Sequence, residues 1–347
     1  MPKPLVVRRK PEAFPLAMDS GAFSFYTKHG AMRSKETGLL LHAKHGAVSS
    51  DYSRTPLFQR YFDAYCQFVR DYGHLFAFCA SLDVIRDSVR SLELYREMRR
   101  QGLNVLPVYH YGEQVDTLRA YLKDADYIGI GGLVKAGSKS SRLRFLDEVW
   151  KGLLDGKGRP AVRIHAFSVA AFGLLLRHPY YSTDSTTPLY WARYGCLMMP
   201  KFTDRYRFAD GYITLAVTEQ RTHQPFHTGH LTGLSRDAVS DYVDNHLTGL
   251  DLSKRGDRYV ANMAYMDKAM SEVADKHRPR AGPDYRCRFY MSGSLLADPA
   301  DLSWLFRNGS GSNLGYLGTF VSTSQMSALT KSWHGTALPP ASSFNRK

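Results

Sequence analysis

Short apolar runs recur along the first half of the chain, and helically spaced patterns fill the gaps between them. Leu16–Ser24 is the first run and closes on small residues, as a strand entering a functional loop does. Thr55–Tyr72 follows with Leu57, Tyr61, Tyr65, Phe68 and Val69 on one helical face, Thr55 at the N-cap and Pro56 in the first turn. The alternation then continues. Strands are predicted at Leu75–Asp83, Asn104–Tyr111, Asp126–Gly132, Ala161–Phe167 and Tyr180–Ser185. Helices are predicted at Asp87–Gln101, stopped by Gly102, then at Val115–Ala125, Ser141–Leu154 and Val169–Leu176. Strand then helix at this spacing argues a parallel sheet. No dinucleotide fingerprint follows the first strand, which favours an α/β fold of the (β/α)8 TIM-like barrel type over an open doubly wound sheet.

After Ser185 the rhythm is lost. Tyr206–Val217 reads as a hairpin turned at Asp210-Gly211, and two helices are expected at about Ser235–Leu247 and Asp257–Lys276. Arg288–Gly293 reads as a late strand, and the Gly-, Ser- and Thr-rich tail from Asn308 to Lys347 as irregular. The organisation expected is a basic arm over residues 1–13 and one barrel domain over 14–347, elaborated at about 195–280.

Composition adds a partner class. The 347 residues carry a net charge of +14, which favours a polyanion, nucleic acid first and an anionic membrane surface second. Cys66, Cys79, Cys196 and Cys287 form no C-x-x-C pair, so a thiolate zinc site is not expected, and a scattered set suits a reducing compartment. No run is apolar for long enough to span a bilayer, and the expected location is the cytoplasm. His223, His227 and His230 are interrupted by Pro225 and Gly229 and carry no metal prediction, nor do His29, His42 and His45 in the loop from Phe25 to Arg54.

Barrel active sites lie at the carboxyl ends of strands, and these strand ends are chemically rich. They carry Asp19 and Ser20, Asp83, His110 and Glu113, Gly131 and Gly132, His165, and Asp184 with Ser185. Two carboxylates at separate strand ends suit retaining glycosyl transfer, one attacking an anomeric carbon and the other moving protons. Close carboxylates push one another's pKa values apart, which divides those roles. An Asp at a strand–helix junction also serves simply as a helix cap, and a double glycine as a tight turn. Lys135, Lys139, Arg142 and Arg144 follow the glycines and form either a phosphate grip or a solvated loop and helix start.

The run Met18–Ser24 (MDSGAFS) resembles the Asp-Ser-Gly-Gly-Phe/Tyr motif of the tRNA-guanine transglycosylase superfamily, and Ile128–Leu133 (IGIGGL) its Ile-Gly-Gly-Leu segment. Together with Pro107–Glu113, Arg163–Phe167 and Ser182–Thr186, the pattern is similar to the branch that places 7-deazaguanine bases in phage and bacterial DNA. It spans about residues 14–190. The resemblance implies that Asp184 is the nucleophile and Asp19 the general acid/base. It implies that Asp83, Ser20, His110, Gly131, Gly132 and His165 surround the base. It implies a glycosyltransferase acting on DNA, with tRNA as the alternative substrate and a nucleoside or glycoside hydrolase as another. A free 7-deazaguanine is the second substrate, and neither redox cofactor, ATP nor metal is needed. A homodimer stays open. The chain departs from the tRNA enzymes in lacking their Cys-x-Cys-x-x-Cys zinc pattern, in Ala22 for a second Gly, and in His110 for a base-reading Gln.

Overall fold

A sheet of eight parallel strands organises the computed structural model, which describes residues 16–30, 50–133, 137–201, 207–221, 223–224, 226–292 and 317–322. In chain order β1 (Leu16–Asp19) is followed by the short helix α1 (Ala22–Phe25), α2 (Pro56–Tyr72), β2 (Phe78–Cys79), α3 (Ser88–Arg100), β3 (Val108–His110) and α4 (Val115–Leu122). Next come β4 (Tyr127–Gly131), α5 (Lys139–Lys151), β5 (Arg163–Ala166), α6 (Phe172–Leu175), β6 (Ser182–Ser185) and α7 (Thr187–Arg193). The mixed α/β alternation of the first half is therefore as the sequence pattern has it, with strands shorter than the apolar runs.

Capping fixes where the helices start. Thr55 Oγ1 accepts from the Phe58 N–H at 3.2 Å, and Asp87 Oδ1 accepts from Arg90 N–H at 2.9 Å. Ser138 caps α5 through the Ser141 N–H, which starts that helix at Lys139 rather than Ser141. In α2 the buried stripe is Phe58, Phe62, Tyr65, Cys66 and Val69. Leu57, expected on the apolar face, is 40% exposed, because the stripe runs one position later.

The sheet order is β2-β1-β10-β9-β6-β5-β4-β3, where β9 is Arg288–Ser292 and β10 is Leu317–Ser322. A parallel bridge between Ala80 and Leu106 joins the two ends of that order. There Ser81 N–H donates to Leu106 O and Leu106 N–H to Cys79 O, both at 2.8 Å. β10 corrects the expectation of an irregular tail from 308. Leu317–Ser322 pairs with both β1 and β9, and the remainder of that tail lies outside the described residues, as do the basic arm and the stretch holding His42 and His45.

Both faces of the sheet are packed. Along β1, Ala17 joins a cluster with Phe78, Leu106, Val108, Tyr127 and Tyr290, while Met18 joins the larger core under the helices. Side chains alternate with period two, so residues two positions beyond the Ala17 set lie on its face. That parity places Asp19, His110, Gly131, His165 and Asp184 on one face of the sheet, above an apolar floor.

Between α7 and β9 the chain makes an antiparallel pair, β7 (Cys196–Pro200) with β8 (Tyr212–Ala216), then α8 (Gly233–His246) and α9 (Arg255–Ala281). The hairpin expected within Tyr206–Val217 is thus corrected. Tyr212–Ala216 pairs with Cys196–Pro200, and Asp210-Gly211 leads into β8 instead of turning the hairpin. Buried Asn262 of α9 ties this unit together. Its Oδ1 accepts from Met198 N–H at 2.7 Å, and its Nδ2 donates to Pro188 O at 2.9 Å. Among the described residues no helix is long and apolar enough to cross a membrane.

Candidate active site

At the end of β6, Asp184 is nearly sealed from solvent, and two donors face one of its oxygens. Its Oδ1 accepts from the backbone N–H of Ser168 at 2.7 Å and faces His165 Nε2 at 3.2 Å. A carboxylate only accepts, so Nε2 carries the proton and Nδ1 accepts. Nδ1 lies 2.6 Å from Ser182 Oγ, which in turn lies 2.5 Å from the Tyr127 hydroxyl. Every donation in the chain Tyr127, Ser182, His165 then runs toward Asp184. Burial lowers the His165 pKa and keeps the ring neutral, although Asp184 opposes that shift. Phe78 and Phe167 flank the imidazole at 4.8 and 4.4 Å, so its orientation is locked.

Ser168 has φ of 58°, a left-handed conformation that a non-glycine residue adopts at a cost of about 1–3 kcal/mol. The strain aims its N–H at the carboxylate. Asp184 is therefore set by one backbone donor and one imidazole, both on Oδ1.

Asp19 sits in a different environment. Burial raises its pKa to about 7, with the negative charges of Asp83 and Asp184 adding to the rise and the backbone N–H groups of Gly21 and Ser20 opposing it. The mutual influence means that three strand ends deliver their carboxylates to one mouth. Asp19 is half-buried, Ser20 is buried, and Gly21 adopts φ of 71° to turn the chain out of β1. Tyr61 of α2 donates to Ser20 O at 2.6 Å, which holds this turn against the helix.

The third cluster is an imidazole between two carboxylates. His110 Nε2 lies 3.2 Å from Asp83 Oδ2, and Nδ1 lies 3.5 Å from Glu113 Oε1. Glu113 Oε2 also accepts from the His110 backbone N–H at 3.1 Å. Burial would lower the His110 pKa, but the hydrogen bonds and charges of Asp83 and Glu113 outweigh it and raise the value to about 10. His110 is thus an imidazolium at neutral pH, with its side chain 24% exposed toward the mouth. Ser20 Oγ donates weakly to the other Asp83 oxygen at 3.4 Å.

The glycines are explained by packing. A Cβ on Gly131 would lie 2.9 Å from His110 Cδ2 and 3.1 Å from Val108 Cγ1, so the bare backbone makes room for the imidazolium. Gly132 turns with φ of 73°. Gly129 is tighter still, since its Cβ would lie 2.3 Å from Phe167 Cε2.

The structure thus gathers Asp19, Ser20, Asp83, His110, Gly131 and Asp184, all named from sequence. His165 is corrected in position. It is wholly buried beneath Asp184 with both nitrogens engaged, and it supports the carboxylate instead of lining the pocket. Lys139 and Arg144 are exposed on α5, while Arg142 donates to Leu133 O at 3.1 Å and braces the turn after β4. Lys135 lies outside the described residues. His227 uses Nδ1 to accept from Gly229 N–H and Nε2 against Thr218 O, the work of a turn cap. Sequence reasoning missed Ser168, Ser182 and Tyr127. Only the shared parity of Ser182 and Asp184 on one strand signalled any of them.

No protein-family model, no curated protein and no solved structure matches the chain.

Proposed function

We propose that the strands close into a (β/α)8 barrel and that the protein is a DNA-guanine transglycosylase, exchanging guanine in DNA for a free 7-deazaguanine base. The observation that carries this reading is the pairing of unlike carboxylates. Asp184 is fixed by donors, and Asp19 is poised to hold or release a proton at about pH 7. The Ala80–Leu106 bridge supports the closed ring, since it gives β2 and β3 a hydrogen-bonded contact.

In this mechanism an Asp184 oxygen attacks C1′ of a deoxyguanosine while the C1′–N9 bond breaks. The bonding pair leaves with guanine, and Asp19 gives that base a proton. The deoxyribosyl group is then held as an ester of Asp184. The incoming base loses its N9 proton to Asp19, N9 attacks C1′, and Asp184 departs. Two displacements retain the configuration, and no electron acceptor or nucleotide triphosphate enters the balance. Asp83 accepts from the N–H edge of the base, and the His110 imidazolium, whose two N–H groups face Asp83 and Glu113, holds that carboxylate in place for it. A base in duplex DNA must first leave the stack, and the strongly basic chain suits the strand around it. The same centre accommodates a ribonucleoside, so tRNA is the competing substrate.

Trapping tests the reading. Guanine-containing single-stranded DNA without an incoming base should give a protein–DNA adduct under denaturing conditions, absent in Asp184→Ala. Steady release of guanine with no adduct, and no base incorporation when 7-deazaguanine is supplied, would make the protein a hydrolase.

A further inference from the structure

Away from the strand-end mouth, α7 and the β7–β8 pair line a cavity of about 200 Å³. Tyr190, Trp191, Tyr194 and Phe226 supply its aromatic walls, and Arg221 and Gln224 its polar ones. Three of those rings are open to solvent, with Tyr190 51%, Tyr194 42% and Phe226 49% exposed. Large exposed aromatics are costly on a surface that binds nothing, and here they converge on one place. Tyr190 packs on Tyr194 with centroids 4.7 Å apart, and the Arg221 guanidinium lies over the Tyr194 ring at 5.2 Å. Phe226 is held at the rim by its carbonyl, which accepts from Ala216 N–H at 2.8 Å. Among the described residues lining the cavity, Arg221 is the one charged side chain.

We propose that this cavity is a nucleobase-binding site for single-stranded DNA, separate from the pocket that holds the reacting base. The walls select a flat ring, because stacking uses faces and tolerates any base. The guanidinium selects a ring attached to an anionic backbone, and a chain of net charge +14 draws such a strand to it. Gln224 offers both a donor and an acceptor to a base edge. The location suits a strand that continues beyond the mouth, for α7 is the helix that leaves β6 directly after Asp184 and Ser185. The proposal rests on the reading of DNA as the substrate and adds where an unreacted part of it is held.

The experiment is a fluorescence-anisotropy titration of the full chain with a labelled, guanine-free single-stranded oligodeoxynucleotide, which offers the strand-end site no base to exchange, comparing wild type, Tyr194→Ala and Phe226→Ala. Circular dichroism confirms that each exposed-site variant is folded. Each aromatic loss is expected to raise the Kd roughly tenfold, the worth of one stacked base. An oligonucleotide carrying 5-iododeoxyuridine should cross-link to peptides holding Tyr190, Tyr194 or Phe226. Superimposable titrations for wild type and both aromatic variants, or cross-links confined to the strand-end mouth, would overturn the site even if base exchange in DNA is observed. Weakened binding in the variants with no exchange by the wild type would instead leave the site standing and remove the transglycosylase reading.

Discussion

Asp19→Asn should make the protein more stable and less active, and the gain should depend on pH in a defined way. Folding raises the Asp19 carboxyl from 3.8 to about 7, chiefly by burial and then by the charge of Asp83. The folded protein therefore binds that proton more tightly than the unfolded chain. Wild-type stability falls as pH climbs from about 4 to about 7, where the unfolded chain has already ionised, and this loss levels off above. Three units at about 1.36 kcal/mol each set an upper bound of ~4 kcal/mol. Water reaches Asp19 at the mouth, and screening brings the expectation to roughly 2 kcal/mol. Asn keeps an oxygen for the N–H groups of Gly21 and Ser20 but carries no titrating proton. At about 2.1 cal/mol/K per residue over the 347 residues, 2 kcal/mol corresponds to roughly 3 °C. Thermal unfolding of both proteins should coincide near pH 4 and separate by that amount at pH 8, the variant melting higher. A separation that is constant with pH, or a variant that melts lower at pH 8, would refute the assignment of a raised, buried carboxyl. Stability gained while exchange activity is lost is the mark of a group kept for function.

Three further outcomes follow from the same geometry. Gly131→Ala should push His110 off Asp83, lowering exchange roughly tenfold to hundredfold while costing only about 1–3 kcal/mol in urea unfolding; full activity would detach His110 from base reading. Ser182→Ala leaves the His165 Nδ1 and the Tyr127 hydroxyl without the oxygen between them, and denaturant unfolding should register a loss of about 1–3 kcal/mol. An unchanged midpoint there would deny the buried chain. His110→Gln removes a cation whose stabilisation is complete below about pH 6.5 and lost as pH rises through about 10, so the variant's deficit of roughly 1–2 kcal/mol at pH 7 should shrink by pH 10.5. A deficit that persists there would mean that the ring acts by packing and not by charge.

How far the chain could be read from its sequence follows from where the information sits. Asp19, Asp83, His110 and Asp184 were legible because each ends an apolar run, and the strand period carries Asp19, His110 and Asp184 to one face. Their unlike electrostatics were not, since Asp19 owes its raised pKa to burial and to charges on other strands. Leu317–Ser322 gave no signal because a short strand gains its pairing from β1 and β9, distant neighbours that a local pattern cannot weigh. Cys196–Pro200 was passed over for a related reason. It is buried throughout, so it shows no alternation, and its methionines carry little strand preference. Tyr127 and Ser182 look like ordinary strand residues until the register sets them beside His165.

Base exchange is the most direct test of the central claim. The full chain is incubated with guanine-containing DNA, and in parallel with tRNA, together with a free 7-deazaguanine base. Each product is digested and its nucleosides weighed by mass spectrometry. The account predicts a 7-deazaguanine deoxynucleoside from the wild type and none from Asp184→Ala. Modified nucleoside from tRNA alone would contradict the substrate, and none from either polymer with folded protein would contradict the chemistry.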